Sequence, residues 1–281
     1  MLRVGFISYL NAFPFYFPFA KMSPEECLDW QFTIERPGVL NRMLKENELD
    51  ISLVSFMEYA SRPAKYQIIR GIGLSSKGYV DSVKLLSKVP MEELKACEIR
   101  TSNASATSVS AMEILLRECG VDNYTCSPYD VTEGIPDCLA ALTIGDEALT
   151  AETSHFDYSY DLGEIWQQRF KRNIVFAVCA VRKEAVDWKL TSLSSFVTEL
   201  QKAPLYCQSN RREFEQACRQ RYPEISAPMS YLHRLRFQME TQEEDDILFF
   251  LKKAWEYKLI SKEVVPEYFS PPLQLATGEV L

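Results

Sequence analysis

The chain has 281 residues, of which 47% are apolar, and 31 lysines and arginines against 39 aspartates and glutamates give a formal net charge of −8. This composition is sufficient for a substantial core in one large or two moderate domains, and it argues against disorder. The charges are scattered without a basic block that could follow a phosphate backbone, so we expect no nucleic-acid partner. No apolar stretch approaches the roughly 18 residues of a membrane span, so we expect no membrane partner either.

The chain starts directly with a predicted strand rather than with an export signal, and we therefore expect a cytoplasmic protein. Its eight cysteines show neither a CxxC motif nor metal-like spacing, and we interpret them as reduced thiols. The two histidines, His155 and His233, are too few for the usual catalytic zinc sites, and the sequence pairs neither with a particular thiol. We expect no catalytic metal.

Strand and helix patterns alternate as far as Pro90. The predicted elements are strands near residues 3–7 and 31–35, a helix near 39–44, a strand at 50–54, a short helix at 57–60, and strands at 67–69 and 83–86. Pro90 then breaks the pattern, and we place the first domain boundary just before it, after residue 88.

The pattern restarts at about residue 91 and later returns to the first domain. It predicts strands at 98–101, 124–126 and 140–144, helices at 106–119 and 162–170, an apolar run over 174–181, and helices near 190–202, 211–221 and 241–257. Thr241 and Glu244 are spaced as a capping box for the last helix. We predict an α/β chain with one discontinuous lobe, 1–88 and 178–281, and an inserted lobe, 89–177. This is the arrangement of hinged proteins that bind a ligand in the cleft between two lobes.

Polar residues follow several of the predicted strands. Ser8 and Asn11 follow the first strand, Ser55 follows the strand at 50–54, and Gly145 and Asp146 follow the strand at 140–144. Ligands of open α/β sheets bind at the carboxyl ends of the strands, so these edges are expected to converge on one small polar molecule.

A second polar group opens the helix predicted near 106–119. Ser105, Thr107 and Ser108 are suited to a helix N-terminus, where free N–H groups and the helix dipole favour an anion. Any one of these serines is more often an ordinary cap or turn residue, and only the joint pattern indicates a binding site.

Six segments, in register along the chain, carry a resemblance to a known family. They are Val4–Asn11, Val54–Tyr59, Asp81–Val83, Ser105–Val109, Ile144–Leu149, and Tyr160–Trp166 through Phe176–Val178. Together they resemble the chorismate dehydratases of the futalosine route to menaquinone, over most of residues 3 to 182. The carboxyl-terminal third resembles that family more loosely.

The resemblance implies a type II periplasmic-binding-protein-like fold, with a ligand cleft between two lobes, that works as a cytosolic enzyme. It implies loss of water from chorismate to give 3-[(1-carboxyvinyl)oxy]benzoate, without a metal or an organic cofactor. Our hypothesis is an E1cB-like elimination in which the substrate's enolpyruvyl carboxylate removes the C3 proton while the protein holds the reacting conformer. Asn11 is then the catalytic residue that donates to the leaving hydroxyl or to the developing anion. The alternative is that Asn11 is only a turn former or a helix cap.

The residues expected to bind the substrate are Ser8, Ser55, Ser82, Ser105, Thr107, Ser108, Gly145 and Asp146. Asp146 is the least clear of them because a carboxylate repels a dianion. It could act as a general base, but we favour a role as a helix cap or as a residue that orients a neighbour.

Two other functions fit the same hinged fold. One is a non-catalytic cytosolic protein that binds small carboxylates, and the other is a related lyase that acts on a later intermediate. The aromatic segment Phe13–Phe17 and Cys179 depart from the family pattern and could alter the cleft walls. The sequence does not predict an oligomeric state.

Overall fold

The computed structural model describes residues 1–102 and 105–272. Its strands are β1 (Leu2–Ile7), β2 (Trp30–Glu35), β3 (Ile51–Ser55), β4 (Tyr66–Ser76), β5 (Val83–Ser87), β6 (Cys97–Ser102), β7 (Tyr124–Tyr129), β8 (Ala140–Ile144), β9 (Tyr158–Asp161), β10 (Val175–Arg182), β11 (Leu235–Arg236) and β12 (Tyr268–Phe269). Its α-helices are α1 (Phe13–Tyr16), α2 (Pro37–Lys45), α3 (Phe56–Ser61), α4 (Ala106–Glu118), α5 (Asp146–Thr150), α6 (Leu162–Phe170), α7 (Lys183–Trp188), α8 (Leu190–Ser209), α9 (Arg211–Arg221), α10 (Pro228–Leu232) and α11 (Thr241–Glu256).

The strands form two separate sheets. The larger sheet has the order β11-β4-β10-β3-β1-β2, with β12 added beside β4, and the smaller has the order β7-β6-β8-β5-β9. In the larger sheet β1 runs parallel to β2 and β3, whereas β10 runs antiparallel to β3 and β4. The apolar run after Asn173 therefore returns the chain to the first sheet, as we expected, and the α/β class is confirmed.

The sheets divide the chain differently from the predicted boundaries. β5 pairs with β8 and β9 of the smaller sheet, although the boundary after residue 88 assigned it to the first lobe. An apolar strand pattern does not show which sheet a strand joins, and the Pro90 break falls after β5. We propose instead a larger lobe, 1–76 and 175–272, and a smaller lobe, 83–170, joined by the segments 77–82 and 171–174.

The aromatic segment after the first strand forms core rather than cleft wall. Phe13 stacks on Phe214 with ring centroids 5.6 Å apart, Phe17 lies 5.1 Å from the same ring, and Phe15 meets Phe237 edge-on at 5.6 Å. These contacts fix α1 against α9 and against the segment that follows β11. The turn that carries Asn11 directly precedes α1, so the same contacts anchor this turn.

The last helix is capped one residue earlier than predicted. Glu240 and Glu243 form the capping box of α11, and the Glu240 N–H donates to Glu243 Oε2 at 3.0 Å. Thr241 is already the first helical residue, so it cannot serve as the cap.

Within 1–102 and 105–272, none of the helices combines the length and the apolar character needed to cross a bilayer.

Candidate active site

A small cavity of about 40 Å³ lies between the two sheets, at the carboxyl ends of β1 and β3. Its polar lining includes six of the nine predicted site residues, namely Asn11, Ser55, Ser82, Ser105, Ser108 and Gly145. Ser8, Thr107 and Asp146 lie outside this lining. The apolar part of the wall comes mainly from Ile7, Leu74, Val83, Ile144, Phe176 and Leu235.

Ser55 and Thr107 join the two lobes at one side of the cavity. Ser55 Oγ lies 2.8 Å from Thr107 Oγ1 and accepts the Thr107 N–H at 2.9 Å, while Thr107 Oγ1 accepts the Met57 N–H at 3.0 Å. The bond between the two hydroxyls uses one of their two hydrogens, so one hydrogen remains to be donated. If Thr107 donates to Ser55, the Ser55 hydroxyl can donate into the cavity that it lines.

Ser108, in the first turn of α4, places a second hydroxyl in the cavity lining. Ser105 is the N-cap, and its Oγ accepts the Ser108 N–H at 3.3 Å, as expected for this residue type at a helix start. Ser108 is 1% exposed, and its Oγ has no hydrogen-bond partner among the described residues. A buried hydroxyl without a partner is costly, so its position in the lining points to a ligand that supplies the missing bond.

Asn11, Tyr231 and Ser82 form a polar cluster across the cavity. The Tyr231 hydroxyl donates to Ser82 Oγ at 2.9 Å. Burial raises the pKa of the Tyr231 phenol, and its hydrogen bonding with the Ser82 and Asn11 side chains acts in the opposite direction. Asn11 Oδ1 is buried without a partner among the described residues, so this amide also has an unused hydrogen-bonding atom.

A sharp loop holds Ser82 in this cluster. The Asp161 carboxylate, at the start of α6, accepts the N–H groups of Val80 at 3.1 Å and of Asp81 at 2.6 Å. Asp81 has a φ of 69°, which turns the chain toward the cavity. At Gly163 a Cβ would lie 2.3 Å from the Gly78 carbonyl oxygen, so only glycine allows the loop to pack this closely on α6.

Gly145 lies directly against the Tyr9 ring. Its φ is 73°, and a Cβ at this position would lie 2.7 Å from Tyr9 Cδ2. Both the backbone conformation and the close approach require glycine here. Gly145 belongs to the smaller lobe and Tyr9 to the larger one, so this contact closes the cavity from the outside. Burial raises the pKa of the Tyr9 phenol to about 12, which keeps the ring neutral in this contact.

Asp146 contacts the larger lobe rather than the cavity. Its two carboxylate oxygens accept the Leu10 N–H at 3.0 and 3.2 Å. Gly145 is the N-cap of Asp146's own helix, so the predicted role of Asp146 as a cap for that helix is not what the structure shows. Burial raises the pKa of the Asp146 carboxyl to about 7, although the bond from Leu10 lowers it.

Ser8 takes part through its backbone. The Ser8 carbonyl oxygen accepts a hydrogen bond from the Tyr222 hydroxyl at 3.0 Å, and the Ser8 N–H donates to the Glu35 carbonyl at 2.9 Å. These bonds fix the chain at the point where β1 ends. The predicted contribution of the Ser8 side chain to substrate binding remains a prediction.

Residues 2–256 match the sequence profile of a family described as menaquinone biosynthesis. The chain belongs to this menaquinone biosynthesis family. Another relative is a chorismate dehydratase from Thermus thermophilus, which is 32% identical over 168 residues. That alignment takes in 53% of this chain and 60% of the relative, so the chain spans less than two thirds of the length of that relative.

Solved structures at low identity establish the fold of this family member. The alkanesulfonate-binding protein SsuA from Xanthomonas axonopodis pv. citri has a TM-score of 0.66 at 9% identity, covering 96% of this chain and 98% of that one. A protein from Archaeoglobus fulgidus has a TM-score of 0.64 at 15% identity, covering 92% and 98%. A Candida albicans protein with the generic periplasmic binding protein fold has a TM-score of 0.60 at 12% identity, covering 94% and 92%. The predicted periplasmic-binding-protein-like fold is confirmed.

The polar side chains that line the cavity are uncharged. No lysine, arginine, histidine, aspartate or glutamate lines it within the described part of the chain. An anion bound here would be held by hydroxyls, by the Asn11 amide and by the N-terminus of α4. Tyr231 is the main site residue that our sequence analysis did not select. It sits on a short helix far along the chain, where nothing local marks it as polar lining.

Proposed function

We propose that this chain is a cytoplasmic chorismate dehydratase, a lyase that removes water from chorismate to give 3-[(1-carboxyvinyl)oxy]benzoate. Membership of the menaquinone biosynthesis family and the similarity to a chorismate dehydratase support this assignment. The observation that carries it is a pair of buried polar atoms, Asn11 Oδ1 and Ser108 Oγ, in one cavity between the lobes, which have no partners in the part of the chain that the structure describes. A polar ligand between them would satisfy both atoms.

The proposed reaction depends more on holding chorismate in its reacting conformation than on a strong base supplied by the protein. The enolpyruvyl carboxylate of chorismate takes the proton from C3, and the electron pair delocalises toward the ring carboxylate. The C4–O bond then breaks, and the hydroxyl leaves as water with the proton that the enolpyruvyl carboxylate took from C3, which makes the ring aromatic and restores the carboxylate. In this hypothesis Asn11 hydrogen-bonds the departing hydroxyl, and the enzyme contributes mainly by orientation.

Substrate entry requires the lobes to move apart. A cavity of about 40 Å³ has room for roughly three water molecules, far fewer than the non-hydrogen atoms of chorismate. The contacts of Ser55 with Thr107, of Tyr9 with Gly145 and of Leu10 with Asp146 all cross between the lobes. We therefore assign this structure to the closed form without substrate. Chorismate would enlarge the cavity, and closure around it would exclude competing water.

The proposal is tested by incubating the purified protein with chorismate and a chelator and following both compounds by chromatography with mass detection. We expect chorismate to disappear and the enolpyruvyl benzoate to appear in equal amounts, faster than in buffer alone. Saturable binding without product would contradict the dehydratase and favour a non-catalytic carboxylate-binding protein. Neither binding nor product would contradict chorismate as the ligand.

Replacing Ser108 with alanine is expected to raise KM for chorismate by about tenfold without lowering the stability of the fold. Its hydroxyl has no partner to lose among residues 1–102 and 105–272, so the free energy of unfolding should stay level or rise by about 1 kcal/mol. Ser194→Ala is the matched control, because Ser194 Oγ is also buried with no partner in the same described ranges but lies in α8, away from the cavity. Steady-state kinetics and urea unfolding of both variants check the prediction, and equal KM values in the two would contradict it.

A further inference from the structure

We propose that Asp146 is a positioning residue that assembles the active site on closure, by holding the turn that carries Asn11 from the opposite lobe. This inference rests on the proposed function, because Asn11 is the catalytic residue only in that account. It assigns Asp146 neither to proton abstraction nor to contact with the substrate.

The turn that carries Asn11 lacks a cap of its own. It is a single 3-10 turn, Leu10–Ala12, and its N-cap, Tyr9, makes no side-chain capping bond. The first N–H groups of such a turn have no partner within it. The Asp146 carboxylate supplies the missing acceptor for Leu10 with both oxygens. A carboxylate in this place acts as an N-cap supplied from another part of the chain, and it fixes the backbone one residue before Asn11.

The acceptor is available only when the lobes meet. Asp146 begins α5, directly after the smaller-sheet strand β8, whereas Leu10 follows β1 of the larger sheet. Opening the cleft would separate Asp146 from Leu10 and leave the turn uncapped. Asn11 is then held in its reacting orientation only in the closed form, which links closure to chemistry.

Closure should also take up a proton. The open form exposes the Asp146 carboxyl to water, whereas burial in the closed form raises its pKa to about 7. Its charged and titratable neighbours are Glu224, Glu147 and Arg36, with the phenols of Tyr9, Tyr222 and Tyr231. Glu224 raises the pKa of Asp146 further. Because the closed form binds more protons than the open form below pH 7, closure and substrate affinity should weaken by about tenfold from pH 6 to pH 8.

The test compares Asp146→Ala and Asp146→Asn with the matched control Glu147→Gln. Glu147 is the adjacent carboxylate, but its partner is the Tyr129 hydroxyl, 2.8 Å away in its own lobe. We expect Asp146→Ala to lower kcat by about tenfold or more with a smaller change in KM. Asparagine keeps an acceptor oxygen, so Asp146→Asn should recover most of the kcat that Asp146→Ala loses. Asparagine does not titrate, so chorismate affinity in this variant should no longer change between pH 6 and pH 8. Glu147→Gln should behave as the unsubstituted protein.

Two outcomes overturn the proposal. If Asp146→Asn is as inactive as Asp146→Ala, the carboxylate acts as a base rather than as a cap. If Asp146→Ala keeps normal kcat, the Asn11 turn needs no cap from the other lobe. Amide exchange at Leu10, measured by NMR without substrate, tests the cap separately from the reaction. It should quicken in Asp146→Ala and not in Glu147→Gln, whether or not the unsubstituted protein dehydrates chorismate.

Discussion

Replacing Asn11 with alanine should lower kcat by about a hundredfold or more and change the dissociation constant of chorismate by only a few-fold. Asn11 Oδ1 is buried in the cavity without a partner among the described residues, and the Asn11 amide lowers the pKa of the Tyr231 phenol, which bonds to Ser82. In our hypothesis the Asn11 Nδ2 group donates to the leaving hydroxyl, and removing one donor that faces developing charge costs a factor of this size in other enzymes. The serine hydroxyls and the N-terminus of α4, which carry substrate binding in our account, remain in place.

The matched control is Asn41→Ala. Asn41 Oδ1 is likewise buried without a partner among the described residues, but Asn41 lies on α2, outside the cavity lining. Pre-steady-state turnover and calorimetric binding should separate the two variants, with normal turnover in Asn41→Ala. Near-normal turnover in Asn11→Ala would contradict a catalytic role for this residue.

Replacing Gly145 with alanine should lower kcat/KM for chorismate by at least tenfold and up to about a hundredfold. An alanine Cβ would come within 2.7 Å of the Tyr9 ring, so the ring must move and the lobes cannot meet as they do here. Overpacking of this kind costs about 1–3 kcal/mol, and every 1.4 kcal/mol is a factor of ten. The cost arises on closure, so it should affect the step that binds and orients the substrate.

Gly120→Ala separates the closure effect from backbone strain. Gly120 has a φ of 76°, close to the 73° of Gly145, but no atom of the described residues lies within 4 Å of a Cβ placed there. Gly120→Ala should lose about 1 kcal/mol of stability from its positive φ, and Gly145→Ala should lose more, because a ψ of −140° places Gly145 outside the left-handed helical region. Only Gly145→Ala should lose activity. Steady-state kinetics with thermal unfolding of both proteins makes the comparison. Equal kcat/KM values in the two variants would show that Tyr9 does not have to pack on Gly145.

The sequence predicts those parts of the site that are marked by local pattern. Asn11 and Ser55 each follow an apolar strand, and Ser105 precedes an amphipathic helix at the position where serine caps. These signals lie within a few residues of the side chains concerned. The strand and helix order of the first lobe is predictable for the same reason.

Local sequence patterns do not indicate contacts between distant parts of the chain. Tyr231 reaches Ser82 across 149 positions of sequence, and Asp146 reaches Leu10 across 136. The strand predicted at residues 67–69 extends over Tyr66–Ser76 as β4. The prediction ends too early because Gly71 and Gly73 interrupt the apolar pattern, in the region where the register with β10 shifts. The predicted polar cluster at 101–108 includes Asn103 and Ala104, which lie outside the described residues.

The most direct test of the central claim is a crystal structure of Asn11→Ala grown with chorismate. Slow turnover in this variant should preserve the substrate, and we predict intact chorismate between the lobes, with hydrogen bonds to Ser108, Ser55 and Ser82. Its C4 hydroxyl should point to the space left by the Asn11 side chain. A chorismate molecule bound elsewhere, or a cleft that stays closed and empty at saturating chorismate, would contradict the assignment of this cavity as the active site.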